Sequence, residues 1–459
     1  MKHIHFIGIC GVGMSSLAIL WKNKGWKVTG SDVGFYPPVS THLEDHKIDF
    51  YPGWHPEKMG TPDLVVVGNV AGSENPEWLK VQNEKIPFVS YPELIAQNLI
   101  KKTSVVCAGT YGKTSTTALL SFILKEAGFK PTYMFGGLSD SLEISADEPE
   151  GSVISVIEGD EYKTARWDNK AKFFSYAPTH LLLTDAIWDH LDVYPTEQSY
   201  FEAFNKLIAG IPQNGFILIS EKVKNKPIKI PFYKSYGMDN TCDYVYSNIT
   251  QDKNGLHFEI THNNSSYPIN SPMIGIYMAE NICAAFAMAH ELGVSAEKII
   301  SAVEKFTGIK RRLEKRGFSP RGATVYDDIA HSPTKAKSIL STLRQIYTGK
   351  IYAVFEPNSG NRQKEAAPLY KDAFKDADEV IIPRLTKIKI KEGEEDNVMD
   401  GPQLTSIIAQ TQQKTVYLEN DEELINYLKQ KTIENDAIVF LGSHGFRGMI
   451  ENLVKQVSW

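Results

Sequence analysis

The sequence predicts an α/β chain of three domains, each a mostly parallel sheet wrapped by helices. Three observations carry that expectation. Short apolar runs alternate with stretches of helical period along the whole chain, which is the rhythm of βαβ units. Glycine-bearing turns sit where a strand run gives way to a helix pattern, at "GICGVG" (residues 8–13) and "GTYGKT" (residues 109–114). At 459 residues the chain is long enough for about three typical domains. Its 42% apolar residues can supply each with a core.

The first domain is read as residues 1–100. "HIHFIGI" is a strand run. The helix after it carries Met14, Leu17, Ala18 and Trp21 at helical spacing, and Gly25 stops it. "WKVTGSD", "DLVVVGN" and "IPFVS" supply further buried-strand runs, so this part reads as Rossmann-like. Its glycines, Gly8, Gly11 and Gly13, read G-x-x-G-x-G. That is not the G-x-G-x-x-G of dinucleotide sites, which argues against a nicotinamide oxidoreductase. Asp32 ends the second strand run, where an acid is placed to meet a ribose or base.

The second domain is read as residues 101–313. "TSVVCAG" is a strand and "KTSTTALLSFILKEAGF" an amphipathic helix, with Leu119, Leu120, Ile123, Leu124 and Ala127 on one face and Gly128 at its end. Between them lies the phosphate-loop candidate. The usual loop, G-x-x-x-x-G-K-[ST], would need a glycine where Cys107 stands. The context still gives the shorter loop physical meaning. Backbone N–H groups of the turn and the helix N-terminus converge, and the helix dipole favours an anion there. Gly109 and Gly112 let the backbone approach phosphate, and Thr110 and Ser115 flank them. Lys113 would reach the β- and γ-phosphates, and Thr114 would put its hydroxyl on Mg2+. Two acidic stretches follow later strand runs. "VIEGDEYKTA" carries Glu158, Asp160 and Glu161, and "TDAIWDHLDVY" carries Asp185, Asp189, His190 and Asp192. Hard oxygen ligands at strand ends beside a phosphate loop favour a site for ATP and Mg2+, in a central P-loop ATPase-type α/β domain. "GSVISVIEGDE" and "THLLLTDA" are its further strands, "MAENICAAFAMAHELGV" is a second helix, and about 215–270 is turn-rich with short strands at "FILIS" and "LHFEITH".

The third domain is read as residues 314–459, after the basic cluster "KRRLEKRG". "ATVYDDIA", "IYAVFEP", "DEVIIPR", "KTVYLEN" and "AIVFLGS" are its strands, again Rossmann-like. "KIKIKEGEEDN" (Lys387–Asn397) reads as a solvated loop. The net charge of −6 disfavours a nucleic-acid or membrane-surface partner. Four scattered cysteines (Cys10, Cys107, Cys242, Cys283) fit a reducing compartment, and the strand-like start does not read as a secretory leader. A cytoplasmic location is expected.

The motif G-T-x-G-K-T-[ST] at Gly109–Ser115 resembles the Mur ligase family, the cytoplasmic ATP-dependent amide-forming ligases of peptidoglycan synthesis. The shortened loop is then a family trait. The resemblance implies that Lys113, Glu158 and His190 form the catalytic set, with Glu158 on one Mg2+ and His190 of "DHLD" on a second. It places Asn281 of "GIYMAENICAA" near the adenine. Arg312 of "FTGIKRRLE" would contact ATP, and Asp328 and His331 of "YDDIAHSPT" would meet nucleotide and cleft. Gly11, Gly13 and Asp32 would serve a UDP-sugar, to which the loop "GNVAGSENP" also fits. The first domain would bind UDP-N-acetylmuramate, the second ATP, and the third would close over ATP and select the amino acceptor, in a monomer or weak homo-oligomer. The chain departs from the family pattern at Tyr111, Asp185, Tyr277, Met278 and Ser332. Four stretches lean towards members that attach the peptide L-Ala-γ-D-Glu-diaminopimelate in peptidoglycan recycling: "GDEYKTARWDNKAKFFSY", "GIKRRLE", "FEPNS" and "GSHGFRG". L-alanine as the acceptor stays open, as does a nucleotide-binding homologue without catalysis.

Overall fold

The computed structural model describes residues 1–190, 192–387 and 397–454. The chain forms two compact units. One comprises Met1–Thr250, Leu256–Pro272 and Tyr277–Gly308, and the other Gln251–Gly255, Met273–Ile276 and the chain from Ile309 onward.

The first unit begins with a five-stranded sheet in the order Asp49–Pro52, Lys27–Asp32, His3–Ile7, Leu64–Val67, Phe88–Ser90. All its pairings are parallel. Side-chain alternation splits its core. Val66 joins the cluster with Ile4, Phe6 and Leu17, whereas Val65 and Val67 join Ile7, Trp78 and Val81 on the other face. Burial on both faces is why these strands read as continuous apolar runs. The strand order reverses beside His3–Ile7, so a crevice opens at the C-terminal ends of that strand and Leu64–Val67.

The second sheet of this unit has ten strands. At its centre Thr103–Ala108 lies between His180–Leu183 and Ile154–Gly159, parallel to both. The helix Lys113–Glu126 follows. Its residues Thr116–Leu124 are buried all round, a wider burial than the single apolar face the sequence predicts. The reason is that the helix packs on the sheet and also against the helices Tyr277–Glu291 and Ala296–Lys305. The strands Tyr244–Asp252 and Ser265–Ser271, absent from the sequence reading, extend the far edge. Their outward residues are polar and exposed, so they lack an apolar run.

The second unit carries a six-stranded sheet in the order Glu314–Phe318, Thr324–Asp328, Ala437–Gly442, Ile351–Glu356, Glu379–Pro383, Thr415–Leu418. The first pairing is antiparallel and the rest parallel. The basic cluster taken as a boundary thus contains an edge strand. The expected solvated loop lies, from 388 to 396, outside the described residues.

Asp328 ends a central strand here. Its carboxylate accepts from the Leu313 and Ala330 N–H groups at 2.6 and 2.7 Å. Burial pushes its carboxyl up to about 6. A raised carboxyl favours the protonated form in the fold. Its contribution to stability is therefore complete below the unfolded value near 4 and is lost as pH rises through about 6. The loss is about 3 kcal/mol. Urea unfolding of the whole chain between pH 4 and 7 is expected to show a falling contribution that Asp328→Asn flattens. An unchanged pH slope in the variant would contradict this assignment.

Candidate functional site

The site is assembled at the C-terminal ends of three adjacent strands of the ten-stranded sheet. After Thr103–Ala108 the chain turns through Gly109 (φ +123°) and Gly112 (φ +81°) into the helix starting at Lys113. Both conformations are left-handed, which glycine adopts without strain. Thr110 is fixed by hydrogen bonds to Ile187 O (2.7 Å) and with Tyr200 Oη (2.9 Å). The Tyr111 carbonyl accepts from Thr184 Oγ1 at 2.5 Å, while the side chain of Tyr111 is exposed. Cys107 is fully buried in the strand, and burial pushes its thiol up to about 12, so it is inert.

The side chain of Lys113 folds back over the loop. Its Nζ donates to Gly109 O at 2.6 Å and to Glu161 at 2.9–3.0 Å. Burial opposes the charge of Lys113, but Glu161, together with Asp160 and Glu158, more than compensates and raises the ammonium above its ordinary range. Thr114 Oγ1 donates to Glu158 Oε1 at 2.7 Å, and the Gly136 N–H donates to Glu158 Oε2 at 2.5 Å. His190 Nε2 lies 3.6 Å from Glu161 Oε1, and that contact, ahead of opposing burial, raises its imidazole. Lys172 pairs with Asp160 at 2.5 Å.

Neighbouring carboxylates are driven apart in this corner. Burial raises Glu158. Burial would raise Asp160 too, but Lys172 and Lys113 together hold it below the ordinary range. One donor atom each from Asp160, Glu161 and His190 lie within 4.8 Å of one another. With Thr114 and Glu158 beside them, the donors are mostly hard oxygens, which suits Mg2+. A second group, His262, His290 and Glu291, is satisfied by its own neighbours. Lys234 and Tyr244 hold Glu291 at 2.6 and 2.5 Å, and the His262 ring bonds Asp243 O at 2.7 Å and Asn263 at 2.9 Å.

The sequence-selected residues divide by position. Asn281 is buried beneath Gly112, and its Oδ1 accepts from Thr116 Oγ1 at 3.5 Å. Ser115 lies in the first turn of the loop helix. Gly11 and Gly13 line a cavity of about 250 Å3 that also touches Gly68, Glu158, Asp160 and Lys172. The cavity therefore joins the glycine turn of the five-stranded sheet to the acidic corner. Asp32 braces that turn, accepting from the Cys10 and Val33 N–H groups at 2.9 and 2.7 Å. In the second unit Arg312 is exposed, between Arg311 and Leu313, which both have positive φ. Arg311 is buried and donates to the Ser443 and His444 carbonyls at 3.0 and 2.9 Å. His331 bonds Ile329 O at 2.7 Å, and burial lowers its imidazole.

Three of the departures have local explanations. Ser332 caps the helix Pro333–Ile346, and Met278 is a buried neighbour of Asn281. Asp185 is buried and accepts from the Ala186 N–H at 2.7 Å. Lys172 escaped the sequence reading. Its partner Asp160 is twelve residues away, across a hairpin of Lys163–Ala165 and Asp168–Ala171.

Three Mur ligase family models match the chain. Residues 3–103 match the model described as Mur ligase family, catalytic domain. Residues 107–289 match the Mur ligase middle domain, and 311–444 the Mur ligase, glutamate ligase domain. The chain is 30% identical to the UDP-N-acetylmuramate–L-alanyl-γ-D-glutamyl-meso-2,6-diaminoheptandioate ligase of Haemophilus influenzae, over 100% of this chain and 99% of that one. The solved UDP-N-acetylmuramate–alanine ligase of Thermotoga maritima superposes with a TM-score of 0.82 at 24% identity, covering 99% of this chain and 98% of that one. A murein peptide ligase from Psychrobacter arcticus gives 0.68 at 26% identity, with the same coverage of each chain.

Proposed function

The chain belongs to the Mur ligase family and is an ATP-dependent amide-bond ligase, and from that premise we propose that it joins the lactyl carboxylate of UDP-N-acetylmuramate to the amine of L-Ala-γ-D-Glu-diaminopimelate. One observation carries the chemistry: Lys113, Thr114, Glu158, Glu161 and His190 meet at one end of the sheet, and a cavity leads from there to the Gly11–Gly13 turn. The acceptor rests on the end-to-end likeness to the Haemophilus ligase and on the hairpin segment "GDEYKTARWDNKAKFFSY".

In this mechanism the loop amides and the helix N-terminus cradle the phosphates of ATP. Lys113 turns from Glu161 to the transferring phosphoryl and offsets the charge that develops there. Thr114, Glu158 and His190 are the residues that would hold Mg2+, which supplies further positive charge when bound. The lactyl carboxylate attacks the γ-phosphorus, ADP leaves, and an acyl phosphate forms. The peptide amine then attacks the acyl carbon and phosphate departs. Residues 1–100 are assigned to the sugar nucleotide, 101–313 to ATP, and 314–459 to the amino acceptor; Asn281, Arg312 and Asp328 are each assigned to ATP, and His331 to the substrate. We place the reaction in the cytoplasm. No helix of the described residues is long and apolar enough to cross a membrane.

Phosphate release with UDP-N-acetylmuramate, ATP and Mg2+ tests the reading. The tripeptide is expected to support turnover and L-alanine is not. Turnover with L-alanine alone would move the protein to the alanine-adding reaction. Failure with every amine, despite ATP binding, would leave a nucleotide-binding homologue.

A further inference from the structure

A substrate carboxylate faces an electrostatic obstacle in this site. It must come into line with a phosphoryl group in a corner that already holds Glu158, Asp160 and Glu161. Lys113 is committed to that phosphoryl group. Among the described residues that line the cavity between the glycine turn and the acidic corner, Lys172 is the sole cation. A sugar nucleotide with its diphosphate on the glycine turn and its carboxylate towards Glu158 would pass this ammonium.

Lys172 is mounted for such a task. Its N–H donates to Tyr162 O at 3.1 Å, and the next N–H, of Phe173, donates to Asp160 O at 3.3 Å. Phe173 is fully buried against Phe204. The hairpin before Lys172 is pinned to the helix Pro76–Asn83 and to the loop after Leu64–Val67. Trp167 stacks on Trp78 with ring centroids 4.9 Å apart, and Arg166 Nε donates to Asn69 O at 2.9 Å. Asp160 holds Nζ at 2.5 Å. An ammonium has three N–H donors, and one contact to Asp160 leaves two for a second carboxylate.

We propose that Lys172 binds the lactyl carboxylate of the sugar nucleotide and is the residue by which the site distinguishes a muramyl from a glucosaminyl nucleotide. This rests on the functional reading above, and the test separates the two. UDP-N-acetylglucosamine offers the same uridine diphosphate and amino sugar without the lactyl carboxylate. Titration calorimetry on the full chain without ATP compares both nucleotides on wild type, Lys172→Met and Lys172→Arg. Wild type is expected to prefer the muramyl nucleotide by about ten- to a hundredfold, the size of one charge-assisted hydrogen bond. Lys172→Met is expected to lose that preference while keeping its affinity for the glucosaminyl nucleotide, which also reports that the variant is folded. Lys172→Arg should retain part of the preference. Three results overturn the proposal: no preference in wild type, an undiminished preference in Lys172→Met, or equal weakening of both nucleotides, which would make Lys172 only the counter-ion of Asp160. Wild type that binds neither nucleotide would instead overturn the functional reading.

Discussion

Lys113→Ala is expected to lower ATP-dependent phosphate release at least about 10³-fold, the scale on which preorganised charges at a transferring phosphoryl act. The structure adds a second consequence. Lys113 Nζ is the partner of Glu161 at 2.9 Å, and the Glu161 side chain is 2% exposed. Removing the lysine leaves this buried carboxylate with His190, at 3.6 Å, as its remaining cationic neighbour, a loss of up to about 3–5 kcal/mol. Lost turnover would then be confounded with lost fold. Lys113→Ala combined with Glu161→Gln removes both charges of the pair. The double variant should recover most of the thermal stability that the single variant loses, and none of its turnover. A folded single variant that releases phosphate near the wild-type rate would refute the phosphoryl role of Lys113. A double variant that stays unstable would refute the pairing argument alone.

The central strands and their glycine turns were legible because each carries its own local signal. Leu64–Val67 and Thr103–Ala108 carry buried apolar residues on both faces, as do Ile351–Glu356 and Ala437–Gly442. Some strands with a wet face were not. Glu314–Phe318 reads EKRGF, and its register shifts between Lys315 and Gly317. Nothing in five such residues distinguishes an edge strand from a charged linker. The same holds for the site. The loop Gly109–Ser115 is contiguous and could be read in place, whereas the pairing of Lys172 with Asp160 depends on a hairpin that folds back on the strand. The wide burial of Lys113–Glu126 was hidden for a related reason. Thr116, Thr117 and Ser121 look like an exposed polar face, but all are buried, and Thr117 and Ser121 each donate to the carbonyl four residues back. Internal satisfaction of their hydroxyls lets polar residues face a packed helix.

The opening glycine of the short loop gives the second large effect. A methyl group on Gly109 would sit 2.5 Å from Thr184 Oγ1 and 2.6 and 2.7 Å from the Asp185 O and N atoms. Two of these three are backbone atoms and cannot rotate away. The φ of +123° is costly for any L side chain, by about 1–3 kcal/mol. The loop must therefore move, and Gly109 O, which accepts from Lys113 Nζ at 2.6 Å, moves with it. Misplacing a catalytic group by about 1 Å can cost 10²-fold, so Gly109→Ala is expected to lose at least about that much in kcat/KM for ATP. Gly112→Ala should be milder, because its new methyl meets the end of a side chain, Asn281 Oδ1 at 2.4 Å, which can shift. Gly128→Ala is the control for conformational cost alone. It has φ +88° and nothing within 4 Å, so it should lose about 1 kcal/mol of stability and no activity. Steady-state kinetics and thermal melts on the three variants give this ranking directly. Were Gly109→Ala as active as Gly128→Ala, the close packing of the loop against Thr184 and Asp185 could not be what holds Lys113 in place.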